Sequence, residues 1–443
     1  TVSTVSNEEK IAKVKEIETN SKTNQSLKLE EDDKKISSVN ENEYKPQPNK
    51  VANVKPPKNG THKFTYSNGD KYIGSYKKSK RHGEGTMIFA NGEIYTGTWE
   101  QDKFHGYGTL TWGNGDKYEG DFIEGLRNGF GKFIWINGEI FEGNYLRGIR
   151  EGDGSIQYSN GDSYKGYWED DNFNGLGIYT FSNGAKYEGE FQNGIRDGKG
   201  IYVYSNGNTF RGDFKNGKRS GMGTYKLQNG EIYEGNFVND KYEGNGKYTW
   251  VNGDHYEGNW SGGRMHGNGV YTWSNGDFYK GEYKFDKMHG KGVLSRLNGR
   301  YEGQFKNGYK HGEGAYVDRN GYSYAGDWLN GKKSGYGVSS WPDGEGYSGE
   351  WQNDSEHGMG RYLWSSGHKY VGQFYKGLKQ GIGTFIWSDG QVQEGLWNED
   401  SFVGKKVKTD RLTKLEKKIV EMVEEEMSMI IEENQGSLEV ERK

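Results

Sequence analysis

The chain has 443 residues, with 72 glycines, five prolines, no cysteine and a formal net charge of -4. Glycine excess without abundant proline or a three-residue glycine period excludes a collagen triple helix, and the lack of cysteine excludes disulfides and thiolate-bound metals. The small net charge gives no general attraction to nucleic acid. A mean hydropathy of -1.07 with 15% aromatic residues predicts a thin, extended fold, because aliphatic residues are too few for a thick core.

Residues 1–59 contain no glycine and are rich in Lys, Glu, Asp, Ser, Thr and Asn. Such a segment cannot bury enough apolar surface to fold, so we predict a disordered polar leader. It ends in a stiff linker that holds four of the prolines, namely Pro46, Pro48, Pro56 and Pro57. The chain shows no basic region followed by an apolar core and no membrane-length apolar run, so we expect no signal peptide and no membrane span.

Beyond residue 60 an aromatic residue two positions before a glycine recurs at a fixed period, which is the signature of a repeat protein. The period is 23 residues for the first ten repeats, one step of 22 residues follows, and the longer period then resumes. A degenerate last repeat with Gln393 in the aromatic position makes fifteen. The aromatic positions are Tyr72, Tyr95, Tyr118, Phe141, Tyr164, Tyr187, Phe210, Tyr233, Tyr256, Tyr279, Tyr301, Tyr324, Tyr347 and Tyr370.

Each repeat carries further residues at fixed positions. In the repeat that begins at Tyr95, Trp99 lies four residues later, Gly106 and Gly108 lie eleven and thirteen later, and Trp112 lies seventeen later. Alternate side chains of a strand share one face, so these residues are predicted to face the same way. Both glycines of the Gly-x-Gly pair are predicted to leave room for rings of neighbouring strands.

A turn pair such as Asn91-Gly92 follows the late aromatic residue in most repeats. Asn-Gly is the preferred two-residue hairpin turn, because both of its residues tolerate positive φ. Each Asn-Gly pair is therefore predicted to reverse the chain as a two-residue turn. The result is a meander of antiparallel hairpins.

This pattern resembles the MORN repeat family, whose consensus is Tyr-x-Gly-x-aromatic, a loop, His-Gly-x-Gly and Asn-Gly. The resemblance covers residues 60–404, and residues 60–69 look like the second half of a further, truncated repeat. It implies an all-β fold, an elongated single-layer antiparallel β-hairpin repeat array of about 15 units of 23 residues. The family's histidine is replaced by other polar residues in eight repeats, at Asn128, Glu151, Asn174, Asp197, Ser220, Glu243, Ser334 and Gln380.

Residues 405–443 form a third region, in which apolar residues at three- and four-residue spacing predict an amphipathic helix from about 410 to 433. The helix would either cover the open edge of the last hairpin or form a two-helix association seam. Its apolar positions, which we take as candidate interaction residues, are Leu412, Leu415, Ile419, Val423, Met427 and Ile430.

No constellation of residues suggests catalysis, a cofactor or a metal. Histidines recur before the Gly-x-Gly pair, but equivalent positions in successive hairpins lie about 10 Å apart, too far for one metal ion. We therefore assign them a structural role and predict a protein that is not an enzyme and binds no cofactor. These histidines are His82, His105, His266, His289, His311 and His357.

The two ends of the hairpins carry opposite charges in the sequence. Acidic residues such as Asp70, Glu93 and Asp116 follow the Asn-Gly turns. The loops at the other end carry cations at one equivalent position, which are candidate interaction residues: Arg81, Arg127, Arg150, Arg196, Arg219, Lys310, Lys333 and Lys379. This pattern predicts a polarised ribbon for binding, or alternatively loop charge that only maintains solubility.

The function implied by the resemblance is a structural scaffold that makes multipoint protein contacts in a cytoskeletal assembly. The family includes radial spoke head proteins of ciliary axonemes and cortical scaffolds of protists, often homodimeric. We therefore expect axonemal or other cytoskeletal protein partners, no nucleic acid, and a cytoplasmic location in the cilium or the cell cortex. The alternative is a phosphoinositide-binding module or a cortical membrane-cytoskeleton linker.

Overall fold

The computed structural model describes residues 55–404. The disordered leader and the C-terminal helix are predicted for residues that lie almost wholly outside this range. Within it the chain forms an N-terminal body, residues 55–208, and a C-terminal body, residues 209–404. Both contain only strands and turns among the described residues, which confirms the predicted all-β fold.

The N-terminal body is an antiparallel meander of thirteen strands, each hydrogen-bonded to the next along the chain. The strands are β1 (Asn59–Thr65), β2 (Lys71–Lys77), β3 (Lys80–Ile88), β4 (Ile94–Glu100), β5 (Lys103–Thr111), β6 (Lys117–Ile123), β7 (Leu126–Ile134), β8 (Ile140–Leu146), β9 (Ile149–Gln157), β10 (Ser163–Glu169), β11 (Asn172–Thr180), β12 (Lys186–Gln192) and β13 (Ile195–Val203). Strand β1 is the second half of the truncated repeat.

The C-terminal body continues the same pattern with eighteen strands. The strands are β14 (Thr209–Lys215), β15 (Lys218–Lys226), β16 (Ile232–Val238), β17 (Lys241–Thr249), β18 (His255–Ser261), β19 (Arg264–Thr272), β20 (Phe278–Lys284), β21 (Lys287–Arg296), β22 (Gly299–Lys306), β23 (Tyr309–Asp318), β24 (Ser323–Leu329), β25 (Lys332–Ser340), β26 (Gly346–Gln352), β27 (Ser355–Leu363), β28 (Lys369–Tyr375), β29 (Leu378–Ile386), β30 (Val392–Asn398) and β31 (Ser401–Gly404).

Large rings and glycines share one face of each body, which we call the inner face. On β4, Tyr95 is 0% and Trp99 2% exposed, and Gly97 between them is also buried. Gly97 pairs with Gly85 on one neighbouring strand and with Gly108 on the other, so a row of glycines crosses the strands. The row has no side chains, and rings from the flanking positions fill the space above it.

The ring of Tyr95 shows how the interlock works. It extends along its own strand and over the neighbouring strand, so that a Cβ on Gly108 would stand 2.5 Å from the Tyr95 hydroxyl oxygen. That hydroxyl donates a 2.9 Å hydrogen bond to the carbonyl oxygen of Thr98. The prediction that glycines make room for rings is confirmed at Gly97 and Gly108.

The first glycine of the Gly-x-Gly pair has a different role. The strand register shifts between Gly97 and Trp99, and Gly106 lies in the resulting bulge with φ of 57°. A Cβ on Gly106 would face the side chain of Thr98 at 3.6 Å and would meet no ring. The predicted ring socket at Gly106 is therefore wrong, because glycine is used there for a left-handed backbone.

The Asn-Gly turns are also longer than predicted. Between β3 and β4, the Phe89 N–H donates to the carbonyl of Glu93 and the Gly92 N–H donates to the carbonyl of Phe89. Gly92 has φ of 92°, whereas Asn91 has no positive φ, so the pair does not form a two-residue turn. The correct description is a β-turn followed by a left-handed glycine, the longer hairpin connection.

The two-residue turns lie at the opposite end of the hairpins, which we call the tight-turn end. Gln101 and Asp102 connect β4 to β5 with φ of 51° and 75°, and the flanking residues Glu100 and Lys103 are paired. Asn, Asp and Gly are common at these positions because they tolerate a left-handed backbone.

In the 22-residue repeat, the hairpin connection at the Asn-Gly end is shorter than in the other repeats. Strands β21 and β22 are joined by Leu297 and Asn298 alone, with Arg296 paired to Gly299. The one-residue slip seen in the sequence thus falls in a turn and leaves the strand ladder intact on both sides.

Candidate interaction surface

A row of half-buried rings lies on the inner face near the Asn-Gly end of both bodies, and we call it the aromatic ridge. Its members stand seventeen residues after each signature aromatic position. They are Phe89, Trp112, Trp135, Tyr158, Phe181 and Tyr204 in the N-terminal body, and Trp250, Trp273, Trp341, Trp364 and Trp387 in the C-terminal body.

Ridge residues contact rings of the next repeat. The Trp112 ring centroid lies 5.1 Å from that of Phe133, which lies 4.4 Å from that of Trp135. In the C-terminal body, Tyr362 links Trp341 at 6.0 Å and Trp364 at 4.6 Å. Such pairs contribute about 0.5–1.5 kcal/mol each beyond area burial. The ridge rings are therefore held in place by ring–ring contacts while part of their apolar surface remains exposed to solvent.

Three positions interrupt the ridge in the C-terminal body. Leu227, Arg296 and Asp318 stand where other repeats have a ring. The guanidinium of Arg296 lies 5.5 Å from the ring centroid of Trp273, so the ridge ends there in a positive charge. The adjoining depression is lined by acidic and polar residues as well, among them Asp254 and Asp277.

The eight predicted interaction cations occupy one structural position, the second residue of the strand after a tight turn. Their charged groups lie over inner-face rings, with Arg81 4.2 Å from the Trp99 centroid and Lys333 4.0 Å from that of Trp351. The other six lie similarly, Arg127 over Tyr145, Arg150 over Trp168, Arg196 over Tyr202, Arg219 over Tyr225, Lys310 over Tyr316 and Lys379 over Trp397.

Acidic residues of the next tight turn hold several of these cations in place. The backbone N–H of Arg150 donates to Asp171 Oδ1 at 2.9 Å, and its Nε donates to the same oxygen at 2.8 Å. Arg81 and Arg219 make the same pair of bonds to Asp102 and Asp240. The cations thus join consecutive repeats, and their charged groups lie against rings of the inner face. A role in partner binding stays a prediction.

The acidic residues at the Asn-Gly end are also used between repeats. Asp254 is 7% exposed, and its carboxylate accepts hydrogen bonds from the Ser274 N–H and the Tyr271 hydroxyl, both at 2.8 Å. Burial raises the pKa of Asp254, but these hydrogen bonds outweigh it and lower the pKa overall. Asp70, Asp116, Asp162 and Asp277 accept the same backbone bond from the following repeat. The sequence analysis missed this role, although the fixed spacing of the acids signals it.

The buried tyrosines keep their protons. Desolvation by burial raises the pKa of Tyr72 and of Tyr158 to about 12. Their hydroxyls therefore act as hydrogen-bond donors at neutral pH, as Tyr72 does toward the carbonyl of Ser75 at 3.1 Å. The perturbed pKa values follow from packing in the repeat and mark no acid-base pair.

The histidines that precede Gly-x-Gly pairs lie at the third position of strands that follow a tight turn. Among residues 55–404 no group of three or more His, Asp or Glu side chains is arranged to hold a metal ion. The Nδ1 atoms of His266, His289 and His311 are buried without a hydrogen-bond partner there. Rings of the neighbouring tight turn contact some histidines, such as Phe285 at 5.3 Å from His266.

The other predicted interaction residues lie outside the described range, from Leu412 to Ile430. Within the described range, a second set of exposed apolar side chains was not predicted. Tyr107 is 65% and Phe130 61% exposed, on the outer face opposite the ridge. Each occupies the middle position of Gly-x-Gly, so the sequence contained the signal that these side chains point away from the rings.

The fold and its fixed positions define an antiparallel β-hairpin repeat protein. The MORN repeat model matches fourteen consecutive segments, 72–94, 95–117, 118–140, 141–163, 164–186, 187–209, 210–232, 233–255, 256–278, 279–299, 301–321, 324–346, 347–369 and 370–392. These segments cover more than half of the chain, which therefore belongs to the MORN repeat family. The degenerate fifteenth repeat is not matched, although it forms the hairpin of β30 and β31.

Solved structures show only distant similarity. The SAS-4 (dCPAP) TCP domain of Drosophila melanogaster is 15% identical, with a TM-score of 0.24, over 40% of this chain and 89% of that one. The TCP10 domain of Danio rerio CPAP is 9% identical, with a TM-score of 0.18, over 65% and 99%. A streptogramin B lyase is 11% identical, with a TM-score of 0.12, over 77% and 94%. These scores are too low to define a common fold.

No curated protein sequence matches the chain significantly. Among the described residues there is no helix long and apolar enough to span a membrane.

Proposed function

We propose that the protein is a non-catalytic structural scaffold that makes multipoint contacts with other proteins through its aromatic ridge. The observation that carries this proposal is the repetition of the ridge itself. Each ridge ring is held in place by neighbouring rings and is only partly buried. A partner that binds it therefore causes little loss of side-chain conformational entropy. Aromatic side chains of this kind are enriched at the centres of protein interfaces.

The remaining repeated positions support a scaffold over an enzyme. The cations, acids and tyrosines that recur along the bodies bond or pack within their own repeat or against the next one, as at Arg150–Asp171 and Asp254–Ser274. Repeat proteins stacked in this way offer long surfaces on which several partners bind side by side.

The family resemblance supports a proposal for the cellular setting. We propose a cytoskeletal assembly, most specifically the ciliary axoneme in a position like that of a radial spoke head. The partners would be other axonemal or cytoskeletal subunits, or a second copy of the chain in a homodimer. Imaging a tagged full chain against axonemal and cortical markers tests the setting, and exclusive cortical signal contradicts it.

The ridge itself is tested with two matched pairs of substitutions in adjacent repeats. Trp112→Ala with Trp135→Ala removes two ridge rings, and Tyr107→Ala with Phe130→Ala removes two outer-face rings. Both variants should fold, as judged by circular dichroism. We expect only the ridge variant to lose its assembly-specific location and its co-purifying subunits. Loss in the outer-face variant alone would place the binding surface on the opposite face.

A further inference from the structure

Three cross-strand pairs of apolar residues lie on the outer face of strands β28, β29 and β30. The members of each pair stand directly opposite each other: Tyr375 and Leu378, Ile382 and Leu396, and Ile386 and Val392. All are at least partly exposed, and Val392 is 60% exposed. Val403 of β31 lies in the bulge beside Leu396 and is 64% exposed. We call these seven residues the end patch.

The inner face of the last hairpin is already covered, unlike the end patch. Trp397 is 6% exposed there, because the Phe402 ring lies 5.4 Å and Lys379 Nζ 5.1 Å from its centroid. The terminal strand of the N-terminal body, β1, also differs. Its outer-face residues are all polar, namely Asn59, Thr61, Lys63 and Thr65. A contiguous apolar surface at one terminal strand indicates a partner or a further segment of the chain that covers it.

The chain leaves its last strand beside the end patch. Strand β31 ends at Gly404, which pairs with Leu396 in the middle of β30. It runs from the tight-turn end toward the Asn-Gly end, where Val392 stands. Val392 lies four residues along β30 from Leu396, or about 13 Å. Residues 405–409 can span about 17 Å when extended, so the segment predicted to be helical from 410 can begin at this level.

The length of that segment matches the length of the end patch. Its apolar positions extend from Leu412 to Ile430, which is about 27 Å in a helix at about 1.5 Å per residue. On β29 the end patch extends from Leu378 to Ile386, also about 27 Å at about 3.3–3.4 Å per residue. A helix that runs back along the strands can therefore contact all three pairs with one apolar face.

The charges of the segment give a reason for it to dock. Its first half carries cations such as Lys414 and Lys418, and its second half carries acids such as Glu425. This order is opposite to the one that the helix dipole favours, so the helix is weak unless a surface stabilises it. On that surface Glu394 lies between Val392 and Leu396, exposed and without an ion-pair partner among residues 55–404. The cations of the first half would lie near it.

We propose that residues 410–433 form a helix that packs on the end patch of the same chain, antiparallel to β31. The exit point of the chain, the matching lengths and the apolar pattern together favour this segment over a second copy or another protein. The helix would cover the outer face of the last hairpins rather than their open edge. The aromatic ridge lies on the inner face, so the docked helix leaves it free for partners, and the inference does not depend on the proposed function.

Cross-linking tests the position and direction of the helix. The chain has no cysteine, so cysteine pairs can be introduced without background. The matched pair is Val392→Cys with Leu415→Cys, and the mismatched pair is Val392→Cys with Ile430→Cys, at the far end of the helix. In the folded full chain a short bismaleimide should link the matched pair at least about tenfold faster, because docking raises the effective concentration of the two thiols. Equal rates for the two pairs would overturn the proposal, as would linkage only between different chains.

Proteolysis provides a second measurement, because trypsin can cleave the segment between Arg411 and Lys418. Ile382→Glu places a charge in the end patch, and Met222→Glu is the matched control. Both residues are the middle of a Gly-x-Gly, where Glu84 stands in another repeat, so both variants should fold. We expect cleavage to be at least about fivefold faster in Ile382→Glu and unchanged in Met222→Glu, since the rate follows the population of undocked segment. An unchanged rate in a folded Ile382→Glu chain would also overturn the proposal.

Discussion

The ring of Phe210 lies against the backbone of Gly223, so that a Cβ added to Gly223 would stand 2.5 Å from Phe210 Cε2. Gly223 is paired with Gly212 of the same hairpin, two residues after that phenylalanine. The same geometry recurs in both bodies, with tyrosine usually in place of phenylalanine. Burial of the Phe210 ring and pairing of the two strands therefore both depend on the absence of a side chain at Gly223.

Substituting Gly223 by valine should destabilise the protein by about 3 kcal/mol or more, because the ring must leave its position or the strands must separate. Met222→Val is the matched control, since Met222 is the adjacent residue, is 61% exposed and lies on the outer face. Urea unfolding measures both. A Gly223→Val chain as stable as the control would show that the ring interlock contributes little.

The two glycines of Gly-x-Gly should respond differently to asparagine, which tolerates a left-handed backbone. Gly244 has φ of 66°, and a Cβ there would meet nothing closer than 3.6 Å. Gly246 has no positive φ, and its Cβ would stand 2.6 Å from Tyr233 Cζ. We expect Gly244→Asn to cost about 1 kcal/mol or less and Gly246→Asn to cost about 3 kcal/mol. Similar thermal unfolding temperatures for the two variants would contradict separate roles.

The period and the aromatic positions predicted the strands because both depend on local alternation. At Gly106 the same alternation gave the wrong role, since a bulge shifts the register and only the backbone conformation reveals it. Asn91 and Gly92 were assigned the wrong turn because the actual reversal depends on hydrogen bonds of Phe89 and Glu93 outside the pair.

The candidate site shows the same limit. The equivalent positions of Arg81 and the other seven cations were visible in the sequence. The direction in which their side chains point could not be read from the sequence. It depends on rings such as Trp99 and on Asp102, an acidic residue of a turn 21 residues after Arg81. A charged side chain on a loop normally stays in contact with water. Here the rings of the inner face are not covered by a second layer, so the cations pack on them instead.

Arg150 should contribute to stability through its ring and turn contacts together. Its guanidinium lies 4.3 Å from the Trp168 centroid and donates to Asp171. We expect Arg150→Ala to lower the free energy of unfolding by about 1–3 kcal/mol, whereas Arg150→Lys should lose less because lysine serves at equivalent positions. Lys165→Ala, at an exposed strand position, is the control, and an Arg150→Ala chain no less stable than it would contradict the assigned role.

The buried tyrosines predict how the fold responds to alkali. The pKa of Tyr72 is raised to about 12 from an ordinary value near 10.0, so folding favours the neutral phenol. The resulting stabilisation is complete below about pH 10 and is lost as the pH rises toward 12. Tyrosinate absorbance and loss of the β-sheet circular dichroism signal should therefore rise together in that interval. Ionisation of the buried tyrosines near pH 10 with the fold retained would contradict this.

The variant Tyr72→Phe separates ionisation from packing at the same position. Phe141 and Phe210 occupy the equivalent position in other repeats and are fully buried, so the ring is accepted without the hydroxyl. At neutral pH the variant should lose about 1 kcal/mol with the hydrogen bond to the Ser75 carbonyl. Above pH 10 it has one phenol fewer to deprotonate, so its stability should decline less steeply with pH than that of the wild type. Parallel stability curves for the two chains from pH 8 to pH 12 would mean that Tyr72 does not ionise on unfolding.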